Sequence, residues 1–175
     1  MKNSAAILCL ILGIAAAPVV LAGTAAPAKA EDLARAATDP VAFARVAASS
    51  NMLEIESSTL ALERSQNADV QAFAEKMIDD HTAAGERMQA VAQDAGLEVP
   101  AEMNEADQEA LEALQDAQDF DQAYLDLQAK AHDEAVTLFE TYASEGQQGP
   151  LRDFAEETLP ALKDHQGHVR SLTGA

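Results

Sequence analysis

Three stretches of the chain carry one pattern: apolar residues alternate by four and three positions, and a histidine interrupts each series. The first is Val70, Ala74, Met77, His81, Ala84, Met88, Val91 and Ala95. The second is Asp121, Leu125, Gln128, His132, Ala135, Phe139 and Tyr142, and the third is Leu151, Ala155, Thr158, Leu162, His165, Val169 and Leu172. This spacing lines one face of an α-helix, which must then be buried against partners. No alternating strand pattern competes with it, so the spacing predicts an all-α chain.

Turn and cap residues divide the chain accordingly. Asp39-Pro40 supplies an N-cap and a first-turn proline, opening a helix that runs to about Gln66 and carries Leu53 and Leu60 on its apolar stripe. Asn67 caps a second helix, which Gly96 stops after Ala95. Leu97 to Met103, with Pro100, reads as a connector, and Asn104 caps a short helix through about Leu114. A third long helix is expected from about Gln118 to Ser144, and a fourth from Pro150 to about Leu172. Residues 31–38 read as a loose leader. Four long helices with two short turns and one longer connection predict an antiparallel four-helix bundle with a short extra helix between the second and third long ones.

Residues 1–30 have a different character. Lys2 precedes an apolar run from Ala5 to Ala22 without an acidic residue, and Ala28-Lys29-Ala30 fits a small-residue cleavage site. The segment is expected to be a signal peptide that leaves no membrane anchor in the mature chain. That chain would start at Glu31 and be periplasmic or secreted, with Val20-Leu21-Ala22 as the other candidate cut. Residues 31–175 then form one domain with a core of about 40–172, a length suited to a single core. Cys9 is the only cysteine, so thiol catalysis, disulfides and cysteine metal sites all fall away after cleavage.

Cleavage would remove two lysines and no carboxylate, taking the formal charge from −19 to −21. That argues against a nucleic-acid partner and for cations or a basic protein partner. Hydrolase motifs such as G-x-S-x-G and H-E-x-x-H are missing from the sequence, and the residues assign no reaction.

The candidate chemistry lies at mid-helix. Counting ~1.5 Å per residue from the two short turns, and placing those turns at the same end, His81 lies ~21 Å and Glu54 ~20 Å from one turn. His132 lies ~22 Å and His165 ~25 Å from the other. Imidazole and carboxylate at one level on four helices are the ligand types of zinc, iron or copper. A lone core histidine is usually hydrogen-bonded packing, but three at one height on three helices point to one transition-metal site. On the first helix Glu54 matches in height and Glu56 sits more squarely on the apolar stripe. Asp79 and Asp80 either orient an imidazole or face water, with water the favoured reading; His168 is read as rim, and Met77 and Met88 as packing.

The segment Met52 to His81, with Leu53-Glu54-Ile55-Glu56, Leu60-Ala61, Phe73-Ala74, Met77 and Asp80-His81, resembles a widespread bacterial family of exported proteins. That family is catalogued as a domain of unknown function, assigned to the ferritin-like superfamily and often labelled membrane or outer-membrane proteins. The likeness continues through Phe120-Asp121-Gln122-Ala123-Tyr124, His132 with Leu138-Phe139, and Thr158-Leu159-Pro160-Ala161-Leu162 before His165, covering about residues 41–172. It implies a ferritin-like bundle with Glu54, His81, His132 and His165 at motif positions, and no established activity. A di-iron centre of the ferritin type needs two Glu-x-x-His motifs, yet Ile78, Ala129 and Leu162 stand three residues before the histidines. The residues fit a mononuclear, histidine-rich site. The competing expectation is a non-catalytic structural or stress-related envelope protein in which the same residues form a buried polar layer.

Overall fold

The computed structural model describes residues 26–174, so the expected signal segment lies outside the described residues except for 26–30. Every regular element among them is an α-helix: α1 Ala26–Ala36, α2 Pro40–Arg64, α3 Ala68–Asp94, α4 Glu105–Gln115, α5 Phe120–Glu145 and α6 Pro150–Thr173. None is long and apolar enough to cross a membrane.

The helix starts follow from capping chemistry. Asp39 accepts a hydrogen bond from the Ala42 backbone N–H, Asn67 from Asp69, and Asn104 from Asp107, each satisfying a donor that has no partner within the helix. Gly96 ends α3 at φ 70°, letting the Leu97 N–H reach the Ala92 carbonyl at 2.8 Å, the left-handed stop that glycine permits.

The leader assigned to 31–38 is corrected: residues through Ala36 belong to α1. Leu33 and Ala36, three apart and so on one helical face, pack on the core around Phe43 and Phe139. The alanine-rich stretch is helix-forming and gains a partner surface only in the folded chain.

Around the core α2 neighbours α3 and α5, while α6 neighbours α3 and α5. The helices bury two apolar clusters. One gathers Phe43, Met88, Phe139, Tyr142, Leu151 and Phe154, with Phe43 stacked on Tyr142 at 3.9 Å between ring centres. The other gathers Ala61, Val70, Phe73, Met77, Phe120 and Val169. Read along the chain, α2 and α6 run from the first cluster to the second, and α3 and α5 run from the second to the first.

This order corrects the placement of the turns. The α2–α3 turn lies by the second cluster and the α5–α6 turn by the first, at opposite ends. The connector must therefore carry the chain from end to end: Leu97 and Val99 pack on the first cluster, and Leu114 and Phe120 join the second. Along the way α4 lies against α2. The Asn104 N–H meets Ser49 Oγ at 2.9 Å, and the Arg64 guanidinium donates to the carbonyls of Leu114, Gln115 and Ala117 at 3.4, 2.6 and 2.9 Å. The four histidine and glutamate positions still share a level, because helices of 24 to 27 residues are about 36–40 Å long and their midpoints are equally deep from either end.

Candidate metal centre

Between the two apolar clusters lies a layer of buried polar side chains: Glu54, Ser57 and Ser58 on α2, His81 on α3, Gln128 and His132 on α5, and His165 on α6. Each histidine occupies the inward stripe of its helix, and the three are 6%, 0% and 2% exposed in chain order. Their rings form a near-equilateral triangle with centres 5.7 Å (81 to 132), 5.5 Å (81 to 165) and 5.4 Å (132 to 165) apart.

One nitrogen of each ring is already engaged. His81 Nδ1 faces Asn51 Oδ1 at 3.0 Å, His132 Nδ1 faces the Gln128 carbonyl at 2.9 Å, and His165 Nε2 faces Asp80 Oδ2 at 2.7 Å. All three partners are acceptors, so those ring nitrogens carry the proton and donate. The other nitrogens, His81 Nε2, His132 Nε2 and His165 Nδ1, are buried and find no hydrogen-bond partner among the described residues. Ligand atoms from the three rings lie within 4.8 Å of one another. A tetrahedral ion with bonds near 2.0–2.1 Å holds its donors about 3.4 Å apart, a separation inside that limit.

Electrostatics keep lone pairs available. Burial pushes the His81 imidazole down to about 3, and the nearby His132 and His165 add to that fall. Burial also lowers His165, although its hydrogen bond to Asp80 acts the other way. Burial opposes ionisation of Asp80, but hydrogen bonds from Lys76 and His165 outweigh it and hold the carboxyl below its ordinary range. A histidine whose far nitrogen donates to a carboxylate, amide or carbonyl is the usual arrangement behind a metal.

Glu54 is 2% exposed but stands outside the triangle. Its Oε1 lies 3.6 Å from His132 Nδ1, the nitrogen already engaged with the Gln128 carbonyl, and its Oε2 has no partner among the described residues. Burial raises the Glu54 carboxyl above its ordinary value, partly offset by His132 and Gln128. Glu56 is exposed, as are Asp79 and His168. Met77 and Met88 are core packing.

Of the two readings of Asp80, the favoured one, facing water, is corrected: the carboxylate holds His165 across the α3–α6 contact, as the other reading allowed for an imidazole. Asn51 was missed by sequence reasoning. Its signal was present, since Asn51, Glu54 and Ser58 fall at i, i+3 and i+7, a polar series on the buried stripe of α2. Gly85 is linked to it: a Cβ there would lie 2.8 Å from Asn51 Nδ2, so the glycine makes room for the side chain that holds His81.

The chain belongs to the family described as a domain of unknown function (DUF4142), which matches residues 23–172. Comparison with curated proteins and with solved structures gives no match.

Proposed function

We propose that this protein is an exported, periplasmic protein of ferritin-like architecture that binds one transition-metal ion, zinc, iron or copper, through His81, His132 and His165. The observation that carries the reading is the leftover valence of the layer: three buried imidazoles bring ligand atoms within 4.8 Å of one another, and each ring, anchored through one nitrogen, keeps the other without a partner among the described residues. Imidazole suits zinc, copper and iron. Glu54 acts behind His132 as the carboxylate that supports it.

The end-to-end connector supports the ferritin-like part, because a bundle with one long crossover is the ferritin-like arrangement. The leader pattern supports export. Of the two candidate cuts, the one after Ala22 keeps Lys29, which pairs with Asp107 at 3.2 Å and Glu134 at 2.9 Å. Intact mass of the exported form distinguishes Gly23 from Glu31 as first residue.

The envelope-protein reading accounts for part of the layer. Gln128 Nε2 donates to Ser57 Oγ at 3.1 Å, and Ser58 shares a 2.9 Å hydrogen bond with Tyr124. It leaves the three free nitrogens unexplained. Calorimetric titration of zinc, cupric and ferrous ions into the wild type, His132→Ala and the double variant Glu109→Gln/Glu112→Gln decides between them. A single site per chain is expected in the wild type and in the double variant, whose substituted acids are exposed. His132→Ala should weaken it by more than roughly 100-fold, since loss of an outer partner alone costs about 10–100-fold. Equal, salt-sensitive binding by all three proteins would leave only a cation-attracting acidic surface.

A further inference from the structure

The histidine triangle does not close on apolar packing. A cavity of about 690 Å³ extends from it into the half of the core nearer Phe43 and Tyr142, reaching the connector at Val99 and Asn104. His81 and His165 line it, whereas His132 does not. Val46 from α2, Ala84 and Met88 from α3, Phe139 from α5, and Phe154 and Leu162 from α6 give it an apolar wall, while Lys29, Asp32, Asp107 and Glu134 line its charged part. Three polar atoms of its lining residues are buried without a partner among the described residues: His81 Nε2, His165 Nδ1 and Thr158 Oγ1.

A structural metal site is closed by four protein ligands, whereas a working site keeps a position open. Here three imidazoles converge, the buried carboxylate lies outside the triangle, and the remaining side adjoins a void in the size range of small-molecule sites. We infer that the cavity is a ligand site: it takes a small organic molecule with a mainly apolar body and one donor atom, the donor completing the coordination of the metal held by His81, His132 and His165. Thr158 supplies the second polar contact. The inference rests on the metal reading, and its test keeps the two apart.

The test uses protein loaded with Co²⁺, whose visible spectrum reports a change of ligand at the ion. Imidazole and 4-phenylimidazole present the same donor, and only the second has an apolar body. The expected result is that 4-phenylimidazole binds at least roughly 10-fold more tightly than imidazole, because its ring is buried against apolar walls. Ala84→Phe and Val46→Phe fill the cavity from two adjoining helices and replace no proposed ligand. Each should bring 4-phenylimidazole down to the affinity of imidazole while Co²⁺ affinity and far-ultraviolet dichroism stay at wild-type values. Two filling variants guard against one that misfolds. If Co²⁺ binds but the phenyl group confers no advantage, or both variants keep the advantage, the ligand site is refuted and the metal centre stands. If Co²⁺ does not bind to the wild type, the metal reading fails and this inference fails with it.

Discussion

Two clusters of buried polar groups among the described residues are built in opposite ways. At the start of α4, Asp107 is 3% exposed, yet its carboxylate accepts from Ser49 Oγ at 2.6 Å, Asn104 Nδ2 at 2.9 Å and Lys29 Nζ at 3.2 Å. Burial alone would lower the Lys29 ammonium, but Glu134 and Asp107 lift it above its ordinary value. The knot is closed, and it ties α1, α2 and α5 to the crossover. The histidine layer is as deeply buried but open, with a free nitrogen on each ring. Burial therefore does not distinguish a binding site from a structural one; unspent hydrogen-bonding capacity does, because a buried polar atom without a partner is costly unless something occupies it.

The sharpest way to break this contrast is to cross the two sites in stability and in metal response. In the chain that keeps Lys29, Asp107→Ala removes the acceptor of three donors and should destabilise the protein by about 3 kcal/mol, as expected for orphaned buried groups and a broken buried pair. Urea denaturation measures it. Its zinc response should be intact, a gain of about 2.7 kcal/mol at a free concentration 100 times the Kd. His132→Ala should lose that zinc response and cost the apo protein less than Asp107→Ala does. If instead Asp107→Ala abolishes the zinc response in the folded protein, the division into closed and open sites is wrong.

Acid should act on the open layer in a definite direction. The folded pKa of His81, about 3, lies below the ordinary histidine value of 6.5, so between those values the unfolded chain binds more protons. Its contribution is complete above 6.5 and is lost as pH falls toward 3, at roughly 1 kcal/mol per pH unit. His165, also lowered, adds in the same sense. Glu54 is raised, so its contribution is complete below its ordinary value and is lost as pH rises through the folded one. The two effects oppose each other in mildly acidic solution. Glu54→Gln should consequently steepen the loss of apo stability between pH 6.5 and 4.5; a slope unchanged from wild type would show that Glu54 is not carrying a raised pKa.

These sites were unequally legible in the sequence. A four-three spacing with histidine at the break identified the inward faces of α3, α5 and α6, and the caps at Asp39, Asn67 and Asn104 located helix starts to within a residue or two. Periodicity specifies a face but not an end. It therefore could not show that the two short turns lie at opposite ends, and the shared height of the histidines survived only because they sit at mid-helix. Partners such as Asp80 for His165 depend on which helices adjoin, and that is a property of the topology. Asp107 reads in sequence as an ordinary first-turn acid of a short polar helix; only the crossover lays it against Ser49. The cavity left no trace, since voids arise from how unequal side chains meet, not from any one of them.

Between the ligands and their surroundings lies a smaller effect. Asp80→Asn keeps an acceptor for His165 Nε2 but removes a charge that Lys76 also holds at 2.5 Å. Metal affinity should fall about 10-fold, at the low end for an outer partner, and calorimetry at moderate salt checks it. Asp133 makes the matching control, since it too is an exposed acid, pairing with Arg170 at 2.7 Å and not touching the triangle. Asp133→Asn should leave metal affinity alone. A loss as large as that of Asp80→Asn would show that general surface charge, rather than the hydrogen bond to His165, sets the affinity.

The smallest expected effect tests how finely the open site is held. Gly85 lies inside α3 with no positive φ to require it, and alanine in a helix interior is favoured over glycine by about 1 kcal/mol. The glycine is explained by Asn51, whose Nδ2 would meet an added Cβ at 2.8 Å, a separation that forces the amide aside. Because that side chain can swing, Gly85→Ala should fold at least as stably as wild type while Asn51 Oδ1 is drawn away from His81 Nδ1. Zinc affinity should then fall by up to about 10-fold, as for other outer partners. Asn51→Ala should give the same loss, and the double variant no more than either alone, because both changes remove one interaction. Additive losses would mean that Gly85 and Asn51 act separately, and that the glycine serves something other than the orientation of His81.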